Sequence, residues 1–220
     1  MLAWAHVLEQ QRRYSDAAAF YQQVLAIDPR NHEAAIRLAW CYKERGDNAN
    51  AIRSFADAVA HFPADETLQN DFGLALADSG NFEQAIEHYQ AAIRLNSTYV
   101  AARINLSKAL FSLGKYPESS EQLKIASELD PRSYDAFFTA GLMLATLKNY
   151  PASERMFHAA VQLRPESAEA FNDLGIVQAA QGFFNDSVDN FIKAVKLNPD
   201  FKEARDNLAR ARQERDARQP

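Results

Sequence analysis

Five prolines divide this 220-residue chain into units of equal length. The prolines that set the period are Pro29, Pro63, Pro131, Pro165 and Pro199. They follow one another at intervals of 34, 68, 34 and 34 residues, and Ser97 lies at the midpoint of the double interval. Self-similarity at a fixed period of this size is typical of repeat architectures. With proline at position 32 of each unit, a 34-residue repeat runs through the chain without an insertion.

The glycines show what each repeat contains. Position 15 holds Gly46, Gly80, Gly114 and Gly182, and position 8 holds Gly73, Gly141 and Gly175. Glycine at position 15 permits the left-handed backbone of a turn between two helices, and proline at position 32 stops the second helix. Arg12 and Lys148 take position 15 in two repeats, so we expect those turns to be strained or differently shaped. Each repeat is therefore predicted to be helix–turn–helix, with turns at residues 12–14, 46–48, 80–82, 114–116, 148–150 and 182–184.

Other columns indicate how the helices start and pack. Position 34 holds the N-cap types Asn31, Asp65, Ser133 and Ser167. Position 24 holds the large residues Tyr21, Phe55, Tyr89, Leu123, Phe157 and Phe191. Positions 20 and 27 hold mostly alanine and serine, whose small size lets helix axes approach closely. The large residues at position 24 are then expected to fill the space between neighbouring helices.

These columns resemble the tetratricopeptide repeat. The sixth repeat matches it best, through Phe171, Leu174, Gly175, Ser187, Phe191, Ala194 and Pro199. The resemblance implies an all-α, right-handed superhelical solenoid of helix–turn–helix repeats. The six predicted repeats are residues 1–31, which start at position 4 of the pattern, then 32–65, 66–99, 100–133, 134–167 and 168–201. Residues 202–220 are predicted to be a capping helix over the last repeat.

Composition narrows the functional class. The net charge of −5 comes without the basic stripe of nucleic-acid-binding proteins, so nucleic acid is not an expected partner. Cys41 is the only cysteine, which rules out an intrachain disulfide. The N-terminus does not resemble a signal peptide, and the longest apolar stretch, residues 136–147, falls short of the roughly 20 residues of a membrane span. We expect a cytoplasmic protein without direct membrane insertion, and a longer parent chain with a targeting segment stays open.

The sequence contains no recognisable motif of enzyme chemistry. It has neither a glycine-rich phosphate loop nor a Gly-x-Ser-x-Gly elbow. Its histidines form no His-x-x-x-His pair, so we expect no metal site. Cys41 lies in a column of core residues and is interpreted as a small core hydrophobe. His61 is interpreted as a residue whose packing Phe62 takes over, rather than as a pH-sensitive contact. We expect no enzymatic activity, no catalytic residue and no cofactor.

One side of the first helices is less polar than a solvated face should be. On a helical wheel, positions 4, 7, 8 and 11 form the buried face, and positions 2, 5, 6, 9, 12 and 13 lie opposite. In tetratricopeptide arrays this opposite side lines a concave groove, and exposed apolar patches often mark partner sites. The predicted groove residues are Ile36, Arg37, Trp40, Asn70, Asp71, Leu74, Ile104, Asn105, Lys108, Phe138, Leu142, Asn172, Asp173 and Ile176. The alternative, that some of these side chains pack against an adjacent repeat, stays open.

Three functions remain in competition. The favoured one is a scaffold that binds a peptide or a partner protein in the groove, with Trp40 as the expected hot spot. The second is a substrate-recruiting module of a larger enzyme, such as a protein glycosyltransferase, although the asparagine ladder that some of those arrays carry at position 6 is interrupted here. The third is a structural subunit that associates with itself through the truncated first repeat.

Overall fold

The computed structural model describes residues 1–217, and within this range the chain is built from thirteen α-helices. The first seven are α1 (Leu2–Gln10), α2 (Tyr14–Ile27), α3 (His32–Glu44), α4 (Asn48–His61), α5 (Glu66–Asp78), α6 (Phe82–Leu95) and α7 (Val100–Ser112). The others are α8 (Tyr116–Leu129), α9 (Tyr134–Thr146), α10 (Tyr150–Leu163), α11 (Ala168–Ala180), α12 (Phe184–Leu197) and α13 (Lys202–Ala217). The predicted all-α class is confirmed, and two helices fall in each of the six predicted repeats.

The turns inside the repeats follow the glycine column closely. In the second repeat, α3 ends at Glu44 and α4 begins at Asn48, against a predicted turn at 46–48. The four glycines at position 15 have φ between 72° and 84°. Arg12 and Lys148 adopt the same left-handed conformation, with φ of 56° and 59°. These two turns are therefore not differently shaped. They place a β-carbon in a conformation that disfavours it, which is the strain that the sequence predicted.

The four residues predicted as N-caps each cap the first helix of a repeat. The side chains of Asn31 and Asp65 accept hydrogen bonds from the backbone N–H groups of Ala34 and Leu68, at 3.0 and 2.9 Å. Ser133 and Ser167 do the same at 3.3 and 3.1 Å. Each bond satisfies an N–H group that the first helical turn would otherwise leave unpaired.

The large residues of position 24 lie at the centre of the repeats. Phe55, Phe157 and Tyr21 have no exposed surface, and Tyr89 has 1%. Glycine at position 8 makes room for the ring: a β-carbon on Gly73 would lie 2.7 Å from Cε1 of Tyr89. The first helix therefore rests directly on the aromatic ring of the second helix.

The chain divides into two compact units, Met1–Ser119 and Ser120–Pro220, called unit 1 and unit 2 below. In unit 2, α13 packs on α12 and α11 and buries Ala204 and Ala211. Positions 218–220 of the predicted cap lie outside the described residues. No helix within residues 1–217 combines the length and the apolar character that crossing a lipid bilayer requires.

Candidate functional site

The predicted groove face is only partly exposed to solvent, and several of its residues at position 5 are buried. In the five complete repeats this position holds Ile36, Asn70, Ile104, Phe138 and Asn172. Asn70, Ile104 and Asn172 expose only 6%, 5% and 1% of their surface. The sequence analysis predicted that these three side chains are accessible, and for these three residues the prediction is wrong. In Asn70 and Asn172 the amide is turned towards the first helix of the next repeat, which covers it.

In unit 1, four predicted groove residues form one hydrogen-bonded group. Asn105 donates to Oδ1 of Asn70 at 3.0 Å, and Asn70 donates to Oδ1 of Asp71 at 3.3 Å. The indole N–H of Trp40 donates to the other carboxylate oxygen of Asp71 at 3.0 Å. Trp40 is half-buried, and its ring meets the ring of Phe55 edge-on at 6.0 Å. Trp40 therefore packs between two repeats, which is the alternative left open by the sequence, while part of it remains exposed.

The electrostatics of this group are partly balanced within unit 1. Burial raises the pKa of Asp71, while the hydrogen bonds from Trp40 and Asn70 lower it again in part. A cation lies close, because Lys43 places its Nζ 5.1 Å from the centre of the Trp40 ring. That ammonium group also pairs with Asp78 at 2.9 Å. The carboxylate of Asp71 thus has a donor on each oxygen and a positive charge nearby.

The accessible part of the unit 1 face is centred on α3. An open cleft of about 380 Å³ is lined by His32, Glu33, Ile36, Arg37 and Trp40. Arg37 is exposed, and its guanidinium lies 3.7 Å from the carboxylate of Glu9. Of the other predicted residues, Leu74 is half-buried and Lys108 is exposed. This surface offers apolar area beside one exposed guanidinium.

In unit 2, one predicted groove residue belongs mainly to the core. Phe138 stacks on Tyr134 at a ring distance of 5.3 Å and meets the buried Phe157 at 5.7 Å. Leu142 and Ile176 differ from it, with 42% and 38% of their surface exposed. Both stand at position 9, the position that Trp40 takes in the second repeat. Unit 2 therefore presents two accessible apolar side chains on its first helices.

The hydrogen-bonded group of unit 1 recurs in unit 2 with one member missing. Asn207 donates to Oδ1 of Asn172 at 2.9 Å, and Asn172 donates to Oδ1 of Asp173 at 3.2 Å. The residue equivalent to Trp40 is Leu142, which has no N–H to donate. Burial raises the pKa of Asp173 to about 6, a value that also includes the raising effect of the Glu203 and Glu169 charges and the lowering effect of the hydrogen bond from Asn172.

A cleft of about 270 Å³ adjoins this group where α13 packs on unit 2. Its lining residues are Ile176, Ala179, Phe184, Phe191, Asn207, Arg210, Ala211 and Glu214. Apolar residues form most of the lining, and Arg210 donates a hydrogen bond to Asn207 at its edge. The cleft shares Ile176 with the exposed apolar pair and Asn207 with the hydrogen-bonded group.

The remaining candidates behave as structural residues. Cys41 is fully buried, with its Sγ 3.6 Å from Glu9, and burial raises the pKa of the thiol to about 12. The prediction of a core cysteine is confirmed. His61 is exposed with Nδ1 2.8 Å from the Asp57 carbonyl oxygen, while Phe62 packs against the core. Within residues 1–217 no group of three or more histidine, cysteine or acidic side chains is placed to hold a metal ion.

The sequence reasoning missed the hydrogen-bonded groups and the cleft beside α13. Their signal was present, since Asn-Asp occupies positions 5 and 6 in both Asn70-Asp71 and Asn172-Asp173. In each case an asparagine follows at position 6 of the next repeat, 35 residues after the first asparagine. Reading positions 5 and 6 together across repeats would have identified both groups.

Comparison with known proteins agrees with this architecture. Three sequence profiles of the tetratricopeptide repeat match residues 8–71, 73–114 and 104–168. The chain belongs to the tetratricopeptide-repeat family.

Two curated relatives are much longer than this chain, and each match covers only a small part of the relative. It is 26% identical over 101 residues to the tomato (Solanum lycopersicum) "Probable UDP-N-acetylglucosamine-peptide N-acetylglucosaminyltransferase SPINDLY", a match that covers 46% of this chain and 11% of the relative. It is 36% identical over 81 residues to the "Peroxisomal targeting signal receptor" of Eremothecium gossypii, covering 37% of this chain and 14% of the relative. The chain thus spans about a tenth of the length of these relatives.

A solved structure matches almost the whole chain. The crystal structure of PilW, described as a widely conserved type IV pilus biogenesis factor, superimposes with a TM-score of 0.83 over 94% of this chain and 96% of that chain. Sequence identity in this comparison is 18%, so the match concerns the fold.

Proposed function

We propose that the chain is a protein-interaction scaffold that binds an extended peptide or a partner protein on the exposed side of its first helices. The observation that carries the proposal is the exposure of Leu142 and Ile176 in unit 2, on the predicted groove side of α9 and α11. Accessible apolar side chains rimmed by charged and amide groups are typical of partner sites. In unit 1, Ile36 and the exposed part of Trp40 offer a similar surface beside Arg37.

Membership of the tetratricopeptide-repeat family supports an interaction role, because such repeats form scaffolds and carry no chemistry of their own. The fungal relative is a targeting signal receptor by name, which is a binding function of that protein. We propose likewise that this chain catalyses no reaction. Its cytoplasmic location stays a prediction.

A second candidate, recruitment of substrates to a larger enzyme, is favoured by the similarity to the tomato glycosyltransferase. The full open reading frame distinguishes this candidate from a free-standing scaffold. A catalytic domain in the same frame would support recruitment, and its absence would favour the scaffold.

The proposal can be tested by affinity capture with the purified chain, followed by titration of each identified protein against variants. We expect the double variant Leu142→Asp with Ile176→Asp to lose binding, because two charges replace apolar contact area. Ile192→Asp is the matched control, since Ile192 has a similar exposure of 40% but lies on the second helix α12. Equal loss in the control, or full binding by the double variant, would contradict the proposed surface in unit 2.

Trp40 requires a separate test because it has two roles in the structure. Trp40→Ala removes an inter-repeat hydrogen bond and ring packing, so part of its effect is on stability. Affinity must therefore be measured for the folded fraction alone. A loss of about 2 kcal/mol in that affinity is expected of a hot spot. Unchanged affinity with reduced stability would remove Trp40 from the binding surface.

Self-association also remains a candidate, favoured by the apolar exposure of α1. Trp4 and Val7 expose 58% and 41% of their surface. Light scattering across a range of protein concentrations tests it, with Trp4→Glu as the variant. A rise in mass with concentration that Trp4→Glu abolishes would support association through α1, and a constant monomer mass would exclude it.

A further inference from the structure

The two units contain the same Asn-Asp-Asn group, but only unit 1 completes it. Asp71 accepts a hydrogen bond on each carboxylate oxygen, from Asn70 and from Trp40. Asp173 accepts one, from Asn172. Within residues 1–217 the carboxylate of Asp173 has no second side-chain donor and no ion pair. The free oxygen corresponds to the one that the Trp40 indole occupies on Asp71.

The missing partners are explained by two substitutions between the repeats. Where unit 1 has Trp40 and Lys43, the equivalent positions of unit 2 hold Leu142 and Ala145. Neither replacement can donate a hydrogen bond or carry a charge. The charged groups that act on Asp173 from its own helix and from α13 are Glu169 and Glu203, which are both acidic. Asp173 is half-buried, and its charge lacks the ion pair or second side-chain donor that a partly buried carboxylate normally has.

The surroundings of Asp173 also fix where a ligand would lie. Ile176 is one helical turn further along α11, and its side chain is therefore a neighbour of Asp173 on the same face. Leu142 takes the repeat position of Trp40, and its helix α9 contacts α11, which carries Asp173. Beyond Ile176 the apolar cleft opens along α13. An aspartate is thus bordered by two exposed apolar side chains and an apolar cleft.

We propose that Asp173 selects an arginine side chain of the bound peptide, and that the cleft beside Ile176 takes an apolar residue next to that arginine. This proposal rests on the proposed function, because it names the chemistry of the partner that the scaffold binds. Arginine fits better than lysine, since a guanidinium is less strongly hydrated than an ammonium and presents several N–H groups in one plane. Unit 1 shows the filled form of the same site, in which the Trp40 indole N–H takes the second carboxylate oxygen of Asp71 and the charge of Lys43 lies nearby.

The experiment begins with a random 12-residue peptide library displayed on phage and selected on the whole chain. We expect the enriched sequences to carry an arginine next to an apolar residue. A synthetic peptide of the most enriched sequence, and the same peptide with citrulline in place of arginine, are then titrated by calorimetry. Citrulline keeps the shape of the side chain but removes its charge. The citrulline peptide is expected to bind at least about tenfold more weakly.

Two variants and one control locate the arginine site. Asp173→Asn removes the negative charge, and we expect it to weaken the binding of the arginine peptide at least about tenfold. Leu142→Trp introduces the indole that unit 1 has. Its N–H should occupy the free carboxylate oxygen of Asp173 and so weaken the binding of the arginine peptide. Asp189→Asn, an exposed acid on α12 of the same repeat, should leave the affinity unchanged.

The outcomes separate this proposal from the function on which it rests. Enriched peptides without a basic residue, or full affinity of Asp173→Asn, would overturn the arginine site while leaving a peptide-binding scaffold in place. Unchanged or higher affinity of Leu142→Trp, with a normal circular dichroism spectrum, would also overturn it. If no peptide is enriched at all, both the arginine site and peptide binding by the scaffold fail.

Discussion

Unit 1 and unit 2 are built on the same frame and differ in how one carboxylate is treated. Both bury an aromatic residue at position 24, and both link an Asn-Asp pair to an asparagine of the next repeat. In unit 1 the protein itself supplies the second donor to Asp71, and in unit 2 Leu142 leaves Asp173 with one. The comparison indicates that the residue at position 9 of the preceding repeat decides whether the carboxylate receives a second hydrogen-bond donor from the chain itself.

The largest expected effect tests the shared frame. Phe55 in unit 1 and Phe157 in unit 2 have no exposed surface, so truncation to alanine leaves a cavity of similar kind in both. We expect Phe55→Ala and Phe157→Ala each to lower the free energy of unfolding by about 3–5 kcal/mol. Urea denaturation followed by circular dichroism measures both. A near-neutral result for either variant would show that the two units do not share this packing.

The second effect concerns the incomplete group of unit 2. Asp173 has a pKa of about 6 in the native state, against about 4 for an unperturbed aspartate. Between these pH values the native state holds a proton that the unfolded state has released. The free energy of unfolding therefore falls as the pH rises from about 4 to 6. Asp173→Asn removes this loss and is expected to stabilise the chain at pH 7 by about 1–3 kcal/mol.

Urea denaturation at pH 4 and at pH 7 checks this expectation. The gain should be present at pH 7 and much smaller at pH 4, where Asp173 is already protonated. Asp71→Asn is the comparison in unit 1, and its gain should be smaller because Trp40 offsets part of the burial cost. Equal pH profiles for the parent chain and Asp173→Asn would contradict the assignment.

The third prediction concerns a substitution that leaves Asp71 of unit 1 with a single donor, as Asp173 has in unit 2. Trp40→Phe keeps an aromatic ring but removes the N–H that donates to Asp71. A hydrogen bond to a charged group contributes about 1.5–3 kcal/mol, so we expect a loss near the lower end of that range at this half-buried site. Trp4→Phe, at a residue 58% exposed, is the control and should be close to neutral. Equal effects of the two changes on the urea midpoint would argue against a stabilising role of the Trp40–Asp71 bond.

The smallest effect should be the same in both units. Arg12 in unit 1 and Lys148 in unit 2 hold left-handed conformations that glycine adopts at little cost. We expect Arg12→Gly and Lys148→Gly each to stabilise by about 0.5–1 kcal/mol, the strain relief being partly offset by greater freedom of the unfolded chain. The reverse change, Gly80→Ala, should destabilise by a similar amount. Thermal unfolding is sensitive enough to detect both signs.

The sequence predicted the helices well because glycine and proline act locally. A left-handed turn at Gly46 and a stop at Pro63 each depend on the residue's own backbone, so a repeat period was sufficient to place them. The N-caps followed for the same reason. Asn31 bonds to the backbone three residues ahead, within one helical turn.

The candidate site was harder to predict because it depends on contacts between repeats. A wheel drawn for one helix separates the face that meets its partner helix from the rest, and it assigned Asn70 and Ile104 to the open side. Both are buried. The bond from Trp40 to Asp71 likewise joins position 9 of one repeat to position 6 of the next, so neither column reveals it alone.

The distribution of tryptophan gives the two units different spectroscopic signatures. Trp4 and Trp40 are the only tryptophans, and both lie in unit 1. Their intrinsic fluorescence therefore reports on unit 1, whereas the far-ultraviolet ellipticity sums the helices of both units. Urea transitions that coincide by the two signals would indicate cooperative unfolding of the whole array, and an ellipticity change without a fluorescence change would identify unit 2 as the part that opens first.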